Sequence, residues 1–155
     1  MMLLVLIISS CGDVSIGNYN PDKPDEKEII ALLIQYQDAK NHFDLERLLS
    51  CLHDNGAFSF ECGLMVSKER LKNELPGFWA GIRSGDPSAI PMVHECINGD
   101  YYKSGALNNP QVLIDGDTAT ATVLFTKGIS RVEQFFSLIR ENDQWLITRT
   151  EWGQS

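Results

Sequence analysis

The chain has 155 residues, of which 43% are hydrophobic and 22% are charged. This length supports one sizeable hydrophobic core but not two ordinary domains, and the composition excludes a disordered chain. The formal net charge of -8, from 21 acidic and 13 basic residues, opposes binding to the phosphate backbone of nucleic acids. No cluster of Lys and Arg breaks this trend, so we expect no nucleic-acid partner.

The N-terminus has a pattern that is typical of a targeting signal. Residues 1–8 are wholly apolar, and two serines and Cys11 follow them. This stretch resembles the lipobox of bacterial lipoproteins, in which the cysteine becomes the lipidated first residue, so the resemblance implies that Cys11 carries a lipid anchor. The apolar run is far shorter than the roughly 20 residues that span a bilayer. The alternative interpretation is a buried N-terminal strand with an incidental cysteine.

Three regions are therefore predicted. Residues 1–10 are a signal peptide of the lipoprotein type, residues 11–25 are a flexible tether, and residues 26–155 are the folded domain. The tether is polar and contains Pro21 and Pro24. This division places the protein in the cell envelope, where only the lipid anchor attaches it to a membrane.

The cysteines after Cys11 are Cys51, Cys62 and Cys96. An odd number cannot all pair within the chain, so one internal disulfide is the maximum. Their spacings match no zinc pattern, and each lies in an apolar stretch, which favours buried free thiols. A disulfide between Cys62 and Cys96 is the alternative.

Helical spacing of apolar residues predicts three helices in the first half of the chain. The first covers about residues 26–42, with Asp25 as an N-terminal cap. Asp44 is suited to cap a second, short helix, and Ser67 to open a third. Pro76 should kink or restart the third helix. The apolar face of the second helix consists of Leu45, Leu48, Leu49 and Leu52.

Alternating patterns predict one early strand and then a succession of strands. Residues 53–56 have turn chemistry and precede the early strand at 57–62. Asp115 and Gly116 mark a tight hairpin, and residues 141–143 mark another turn. The later strands are predicted at 90–97, 112–114, 118–126, 132–140 and 145–152.

This order of elements, together with residues 53–58, 113–119 and 145–147, resembles the SnoaL-like members of the nuclear transport factor 2-like (NTF2-like) superfamily. The resemblance covers roughly residues 26 to 152. It implies an α+β, cone-shaped fold in which three N-terminal helices pack on a curved, mostly antiparallel sheet. It also implies a homodimer that forms through the outer face of the sheet.

The resemblance implies a pocket between the sheet and the helices, where catalytic members of the superfamily move a proton on an apolar substrate. His94 is the candidate general base if its face of the strand at 90–97 points inward, whereas a structural hydrogen bond or a position facing the dimer is the alternative. Tyr36 lies on the apolar stripe of the first helix. Its hydroxyl either donates a hydrogen bond to a ligand or is bonded to protein or water.

Strict alternation along the last strand places Arg149 and Glu151 on one face with Trp145 and Ile147. A buried Arg149 needs a carboxylate, and Glu151 or Glu133 is the available partner. Such an ion pair could hold an anionic ligand. A pair on the surface, of little energetic value, is the alternative.

Phe58, Phe60 and Trp79 are the aromatic residues expected at the cavity wall, although aromatic residues at such positions more often belong only to the core. The chain has no Gly-rich phosphate loop, no Gly-x-Ser-x-Gly elbow, no His-Glu-x-x-His and no acidic calcium loop. Neither a cofactor nor a metal site is expected.

Three hypotheses about function follow. The first is a lipoprotein that binds a small, largely apolar molecule in the pocket. The second is an enzyme of the dehydratase or isomerase kind that uses His94 with Tyr36 or Glu151. The third is a module of the cell envelope that dimerises or holds partners without catalysis. Fold alone does not choose among them.

Overall fold

The computed structural model describes residue 16 and residues 19–59, 64–84, 105–127 and 129–153. The helices in these ranges are α1 (Pro24–Asn41), α2 (Leu45–Ser50) and α3 (Lys68–Ser84). The strands are β1 (Leu52–Ser59), β2 (Met65–Ser67), β3 (Ala106–Asp115), β4 (Thr118–Lys127), β5 (Ser130–Glu141) and β6 (Gln144–Trp152). The strand predicted at 90–97 lies outside the described residues.

The described strands form one 6-stranded sheet in the order β2-β1-β6-β5-β4-β3. Only β1 and β6 pair in parallel, and every other neighbouring pair is antiparallel. Helix α1 lies against β3 and β6, and α3 lies against β1. Apolar side chains from the helices and from one face of the sheet form a single buried core. The predicted α+β architecture with a mostly antiparallel sheet is confirmed.

Helix α1 begins two residues earlier than predicted. Pro24 occupies the first turn, where its missing N–H is not needed and its fixed φ suits a helix. Lys23 is the N-cap residue, and its side chain makes no capping hydrogen bond. The prediction that Asp25 caps the helix is therefore wrong. Asp25 instead accepts a hydrogen bond of 3.0 Å from Nη1 of Arg140, which ties the start of α1 to the end of β5.

The predicted cap of α2 is confirmed, because the Asp44 side chain accepts a hydrogen bond of 3.0 Å from the backbone N–H of Arg47. Helix α3 continues through Pro76 to Ser84, so the predicted restart of the helix at Pro76 is wrong. Pro76 is exposed, while Leu75, Phe78 and Trp79 beside it are buried. Packing of these apolar residues on both sides of the proline keeps the segment in one helix. No helix among the described residues has the length and apolarity needed to cross a membrane.

The residues predicted as a turn at 53–56 belong to β1. The register between β1 and β6 shifts between Leu52 and Ala57, so the turn-forming residues accommodate an irregularity within the parallel pair. Gly56 is required at this point because the neighbouring strand comes very close. A Cβ atom there would lie 2.2 Å from Cζ of Phe58 and 2.8 Å from the carbonyl oxygen of Thr148.

Both predicted hairpin turns are confirmed. Gly116, between β3 and β4, has a φ of 57°. Asn142 and Asp143, between β5 and β6, have φ values of 51° and 59°. Positive φ at both central residues is the conformation that matches the right-handed twist of two adjacent strands. These turns set the pairing of β3 with β4 and of β5 with β6.

Candidate functional site

The buried face of α1 carries polar side chains among apolar ones. Ile29, Ile30 and Leu33 are fully buried in the first half of the helix. In the second half, the buried positions are Tyr36, Gln37, Ala39 and Lys40. Since residues three and four apart lie on the same side of a helix, Leu33, Tyr36 and Lys40 form one row that points at the sheet. The polar end of this row is where the candidate site lies.

Tyr36 connects α1 to the strands behind it. Its hydroxyl is hydrogen bonded to the side chains of Thr150 and Gln134, and its ring meets Phe136 edge-on with the ring centroids 5.5 Å apart. Burial raises the pKa of the Tyr36 hydroxyl well above its ordinary value. The hydroxyl is therefore protonated at neutral pH and can act as a hydrogen-bond donor.

Thr150 extends this network to β1. Its hydroxyl accepts a hydrogen bond of 2.9 Å from the backbone N–H of Ser59. Thr150 is fully buried and lies opposite Phe136 on β5 and Phe58 on β1. The Tyr36–Thr150 contact thus joins α1, β1 and β6 through two small polar groups in an otherwise apolar interior.

Lys40 is the one charged residue with less than a tenth of its surface exposed in the part of the chain that the structure describes, at 8%. Its Nζ lies 5.2 Å from the centroid of the Tyr36 ring and 5.3 Å from the centroid of the Trp152 ring. The ring of Trp152 in turn meets Phe125 edge-on at 5.5 Å. Burial lowers the pKa of Lys40 to about 8. We call Tyr36, Lys40, Gln134, Thr150 and Trp152 the inner polar cluster.

Gln134 contributes a buried acceptor to this cluster. It is 1% exposed and lies directly opposite Trp152 in the pairing of β5 with β6. Its side chain is hydrogen bonded to the Tyr36 hydroxyl, but its Oε1 has no hydrogen-bond partner. A buried acceptor without a partner costs about 1–3 kcal/mol. A bound molecule or a water that donates a hydrogen bond to this oxygen would remove that cost.

Gln37, the residue after Tyr36 on α1, has a second buried acceptor without a hydrogen-bond partner. Gln37 is 5% exposed, and its Nε2 donates a hydrogen bond of 2.8 Å to Oδ1 of Asn41, whereas its Oε1 has no partner. Asn41 also holds the start of β3, because its Nδ2 donates to the carbonyl oxygen of Gly105 at 3.1 Å and its Oδ1 accepts from the Gly105 N–H at 3.2 Å. The side chain of Asn41 therefore pairs with the backbone as a strand would.

The structure places only some of the predicted site residues near this cluster. Tyr36 belongs to it, and Phe58 is 1% exposed and lies opposite Thr150. Trp79 is 2% exposed, but it packs edge-on against Phe43, with the ring centroids 5.6 Å apart. Its indole Nε1 has no hydrogen-bond partner. Trp79 belongs to the core around α3.

The predicted face of Arg149 and Glu151 is wrong. Ser137 pairs with Arg149 whereas Leu138 pairs with Ile147, so Thr148 is an extra residue in β6. Such a bulge reverses the alternation of the residues that follow it. Thr150 therefore shares the buried face of Ile147, while Arg149 and Glu151 point outward.

Arg149 and Glu151 form an ion pair on the outer face of the sheet. Nη2 of Arg149 lies 2.5 Å from Oε1 of Glu151, and the two side chains are 51% and 46% exposed. The hydrogen bond to Arg149 lowers the pKa of Glu151, and the same bond raises the pKa of Arg149. This is the surface pair that the sequence left open as an alternative, so neither residue lines the interior.

Other predicted residues lie outside the described ranges. These are His94, Phe60, Cys11, Cys62 and Cys96. Cys51 is described, and it is a buried free thiol as expected. Burial raises its pKa to about 11, which keeps it protonated. No group of three or more His, Cys, Asp or Glu side chains in the described part of the chain is placed to hold a metal ion.

Four members of the inner polar cluster were not identified from the sequence, although two of them left a signal. These four are Lys40, Gln134, Thr150 and Trp152. Lys40 follows Tyr36 by four residues and so continues the apolar row of α1. Gln134 shares the parity of the buried Phe136 and Leu138 on its strand. Thr150 left no such signal, because the bulge at Thr148 moves it to the buried face.

The fold matches many solved structures. A protein of unknown function with a cystatin-like fold from Nostoc punctiforme is 18% identical, with a TM-score of 0.60 and coverage of 83% of this chain and 89% of that one. An NTF2-like protein of unknown function from Pseudomonas putida is 16% identical, with a TM-score of 0.58 and coverage of 84% and 87%. The chain has the NTF2-like fold.

Another match with the NTF2-like fold is a proposed ketosteroid isomerase from Shewanella frigidimarina, which is 20% identical. Its TM-score is 0.55, and the alignment covers 79% of this chain and 92% of that one. No protein-family model and no curated protein matches the sequence. Because all of these identities are low, the matches establish the fold and leave the function to the residues of the site.

Proposed function

We propose that the protein binds a small, largely apolar molecule between α1 and the sheet, with a polar group of that molecule at the inner polar cluster. The observation that carries this proposal is the unpartnered Oε1 of Gln134, which is fully buried beside the Tyr36 hydroxyl. Buried polar groups in folded proteins nearly always have a partner. A ligand that donates a hydrogen bond to Gln134 would supply it, and the surrounding rings would contact the apolar part.

The chemistry of the cluster fits recognition better than the acid–base reaction expected from the sequence. Tyr36 is held protonated, so it donates hydrogen bonds and does not act as a base at neutral pH. Glu151 lies on the outer face, away from Tyr36. His94 lies outside the described residues, and an acid–base reaction that uses it with Tyr36 is the alternative function.

Native mass spectrometry of the protein purified gently from the cells that produce it tests this proposal. We expect a small molecule to remain bound to the wild type and to be lost in Gln134→Met, which keeps the length of the side chain but removes both polar atoms. Gln144→Met is the matched control, because Gln144 is exposed at the start of β6. An empty wild-type protein, or equal retention in both variants, contradicts the proposal.

The location of the protein is a separate proposal. We infer from the lipobox-like stretch that Cys11 is lipidated and that residues 11–25 tether the domain to the cell envelope. Mass spectrometry of the mature N-terminus tests this inference: a diacylglyceryl group on Cys11 is expected in the wild type, and no lipid in Cys11→Ser. An unmodified N-terminus that retains residues 1–10 contradicts it.

The homodimer is also a proposal, supported by the apolar side chains that the outer face of the sheet exposes. Leu113 is 74% exposed and Phe135 is 38% exposed. The same mass spectra give the number of subunits. A second subunit is expected, and Leu113→Asp should reduce the dimer fraction, whereas a monomer at micromolar concentration in the wild type contradicts the proposal.

A further inference from the structure

Lys40 has a placement that ordinary surface lysines do not have. It is 8% exposed, and its Nζ lies between the rings of Tyr36 and Trp152, at 5.2 Å and 5.3 Å from their centroids. A lysine that is desolvated among aromatic rings loses part of the hydration that stabilises its charged form. Two consequences follow, one for the charge of the amine and one for its reactivity.

Burial lowers the pKa of Lys40 to about 8. At pH 7.5, about a quarter of such amines are neutral, compared with about one in a thousand for a lysine that has the ordinary pKa of 10.5. The neutral amine is the form that attacks a carbonyl carbon. Lys40 therefore carries a nucleophile at neutral pH inside an apolar environment.

The neighbours of Lys40 can form hydrogen bonds with the intermediates of an attack on a carbonyl carbon. Gln134 lies opposite Trp152, and its unpartnered Oε1 can accept a hydrogen bond from a hydroxyl group. The Tyr36 hydroxyl bonds to the same glutamine and is held protonated, so it can donate to an oxygen atom. An amine, a hydrogen-bond donor and a hydrogen-bond acceptor thus belong to one buried cluster of neighbouring side chains.

We propose that Lys40 forms an imine with a small apolar aldehyde or ketone. The amine nitrogen attacks the carbonyl carbon, the electron pair of the C=O π bond moves to oxygen, and one proton passes from nitrogen to oxygen to give a carbinolamine. Loss of the hydroxyl group and the remaining N–H proton as water then forms the C=N bond. No oxidant or reductant is needed. This inference rests on the proposed function and names the chemical class of the ligand.

Reductive trapping tests the imine directly in the wild-type protein. The protein is incubated at pH 7.5 with 2-naphthaldehyde and sodium cyanoborohydride, which reduces an imine to a stable secondary amine, and the modified lysines are located by peptide mass spectrometry. We expect labelling of Lys40 to be at least about tenfold faster than labelling of the exposed Lys72. In Lys40→Met, the fast component should disappear while Lys72 is labelled at the same rate.

A second probe separates this inference from the proposed function. Saturation-transfer NMR measures binding of 2-naphthaldehyde and of 2-naphthylmethanol, which has the same apolar body but no carbonyl group. If both probes bind while Lys40 is labelled no faster than Lys72, the imine is wrong and the binding proposal stands. If neither probe binds and Lys40 is not labelled preferentially, both proposals are overturned.

Discussion

Polar side chains are buried on one face of β6 and exposed to solvent on the other. On the inner face, Thr150 is fully buried. Its hydroxyl accepts a hydrogen bond from the Ser59 N–H of β1 and is hydrogen bonded to the Tyr36 hydroxyl. On the outer face, Arg149 and Glu151 are about half exposed and bond to each other. Thr150 thus lies in the protein interior, whereas the residues on either side of it in the same strand face the solvent.

The pKa values of Lys40 and Arg149 reflect this difference between the two faces. Burial lowers the pKa of Lys40 on the inner side, because water no longer stabilises its charge. The pKa of Arg149 on the outer side is raised by its hydrogen bond to Glu151, with solvent close by. The inner face therefore disfavours a charge, whereas the outer face accommodates one. Each prediction below tests one part of this contrast.

The largest effect is expected for adjacent phenylalanines on β5. Phe136 is 2% exposed and packs edge-on against Tyr36, whereas Phe135 is 38% exposed on the other face. Phe136→Ala should lower the free energy of unfolding by about 3–5 kcal/mol, because it leaves a cavity in the core. Phe135→Ala should lower it by about 1 kcal/mol or less in the monomer. Urea unfolding followed by tryptophan fluorescence measures both, and equal losses would show that the outer face is also covered in solution.

Lys40→Met should change how the stability of the protein depends on pH, because the pKa of Lys40 differs between the folded and unfolded states. The pKa of about 8 in the folded state, against 10.5 in the unfolded state, corresponds to about 3 kcal/mol. Because the folded pKa is the lower one, the unfolded chain binds more protons between pH 8 and 10.5, and wild-type stability rises with pH across that window. From pH 8 to pH 10.5, the stability of the wild type should therefore rise relative to that of the variant by about this amount.

Unfolding free energies at pH 7 and pH 10 check the sign of this effect. Lys72→Met is the matched control, because Lys72 is exposed on α3 and its replacement should give no such change with pH. The same dependence of stability on pH in the wild type and in Lys40→Met would contradict this prediction.

Thr150→Val should have an intermediate effect. The substitution keeps the shape of the side chain and removes the hydroxyl that accepts the Ser59 N–H and is hydrogen bonded to the buried Tyr36 hydroxyl. Loss of these hydrogen bonds should cost about 1–3 kcal/mol. Thr120→Val, at an exposed position of β4, is the control and should be nearly neutral. Tyr36→Phe combined with Thr150→Val should cost less than the sum of the two single changes, since they share one hydrogen bond.

Local signals in the sequence predicted much of the fold. The turns at Gly116 and Asn142 follow from residues that adopt positive φ, and the cap of α2 follows from Asp44. Long-range effects were not accessible in this way. The helix continues through Pro76 because its neighbours are buried. Residues 53–56 lie in a strand because Leu52 and Ala57, on either side of them, pair with β6.

The candidate site was predicted less well, and the reason is the bulge at Thr148. A single extra residue reverses the alternation, so Thr150 moved to the interior and Arg149 and Glu151 moved to the surface. Nothing local in the sequence marks this bulge, since it depends on the pairing with Ser137 and Leu138. Lys40 was missed for a different reason, because lysine is almost never fully buried.

The smallest effect is expected for the outer ion pair. Arg149→Ala, Glu151→Ala and the double variant should unfold at the same urea concentration as the wild type, because exposed ion pairs gain little from mutual attraction and lose side-chain freedom. High salt should change none of the four midpoints relative to the others. A marked loss in both single variants that the double variant recovers would mean that the pair is desolvated in solution. Since the isolated chain exposes it, a second subunit on this face would then be required, and the contrast between the two faces of β6 would hold only for the monomer.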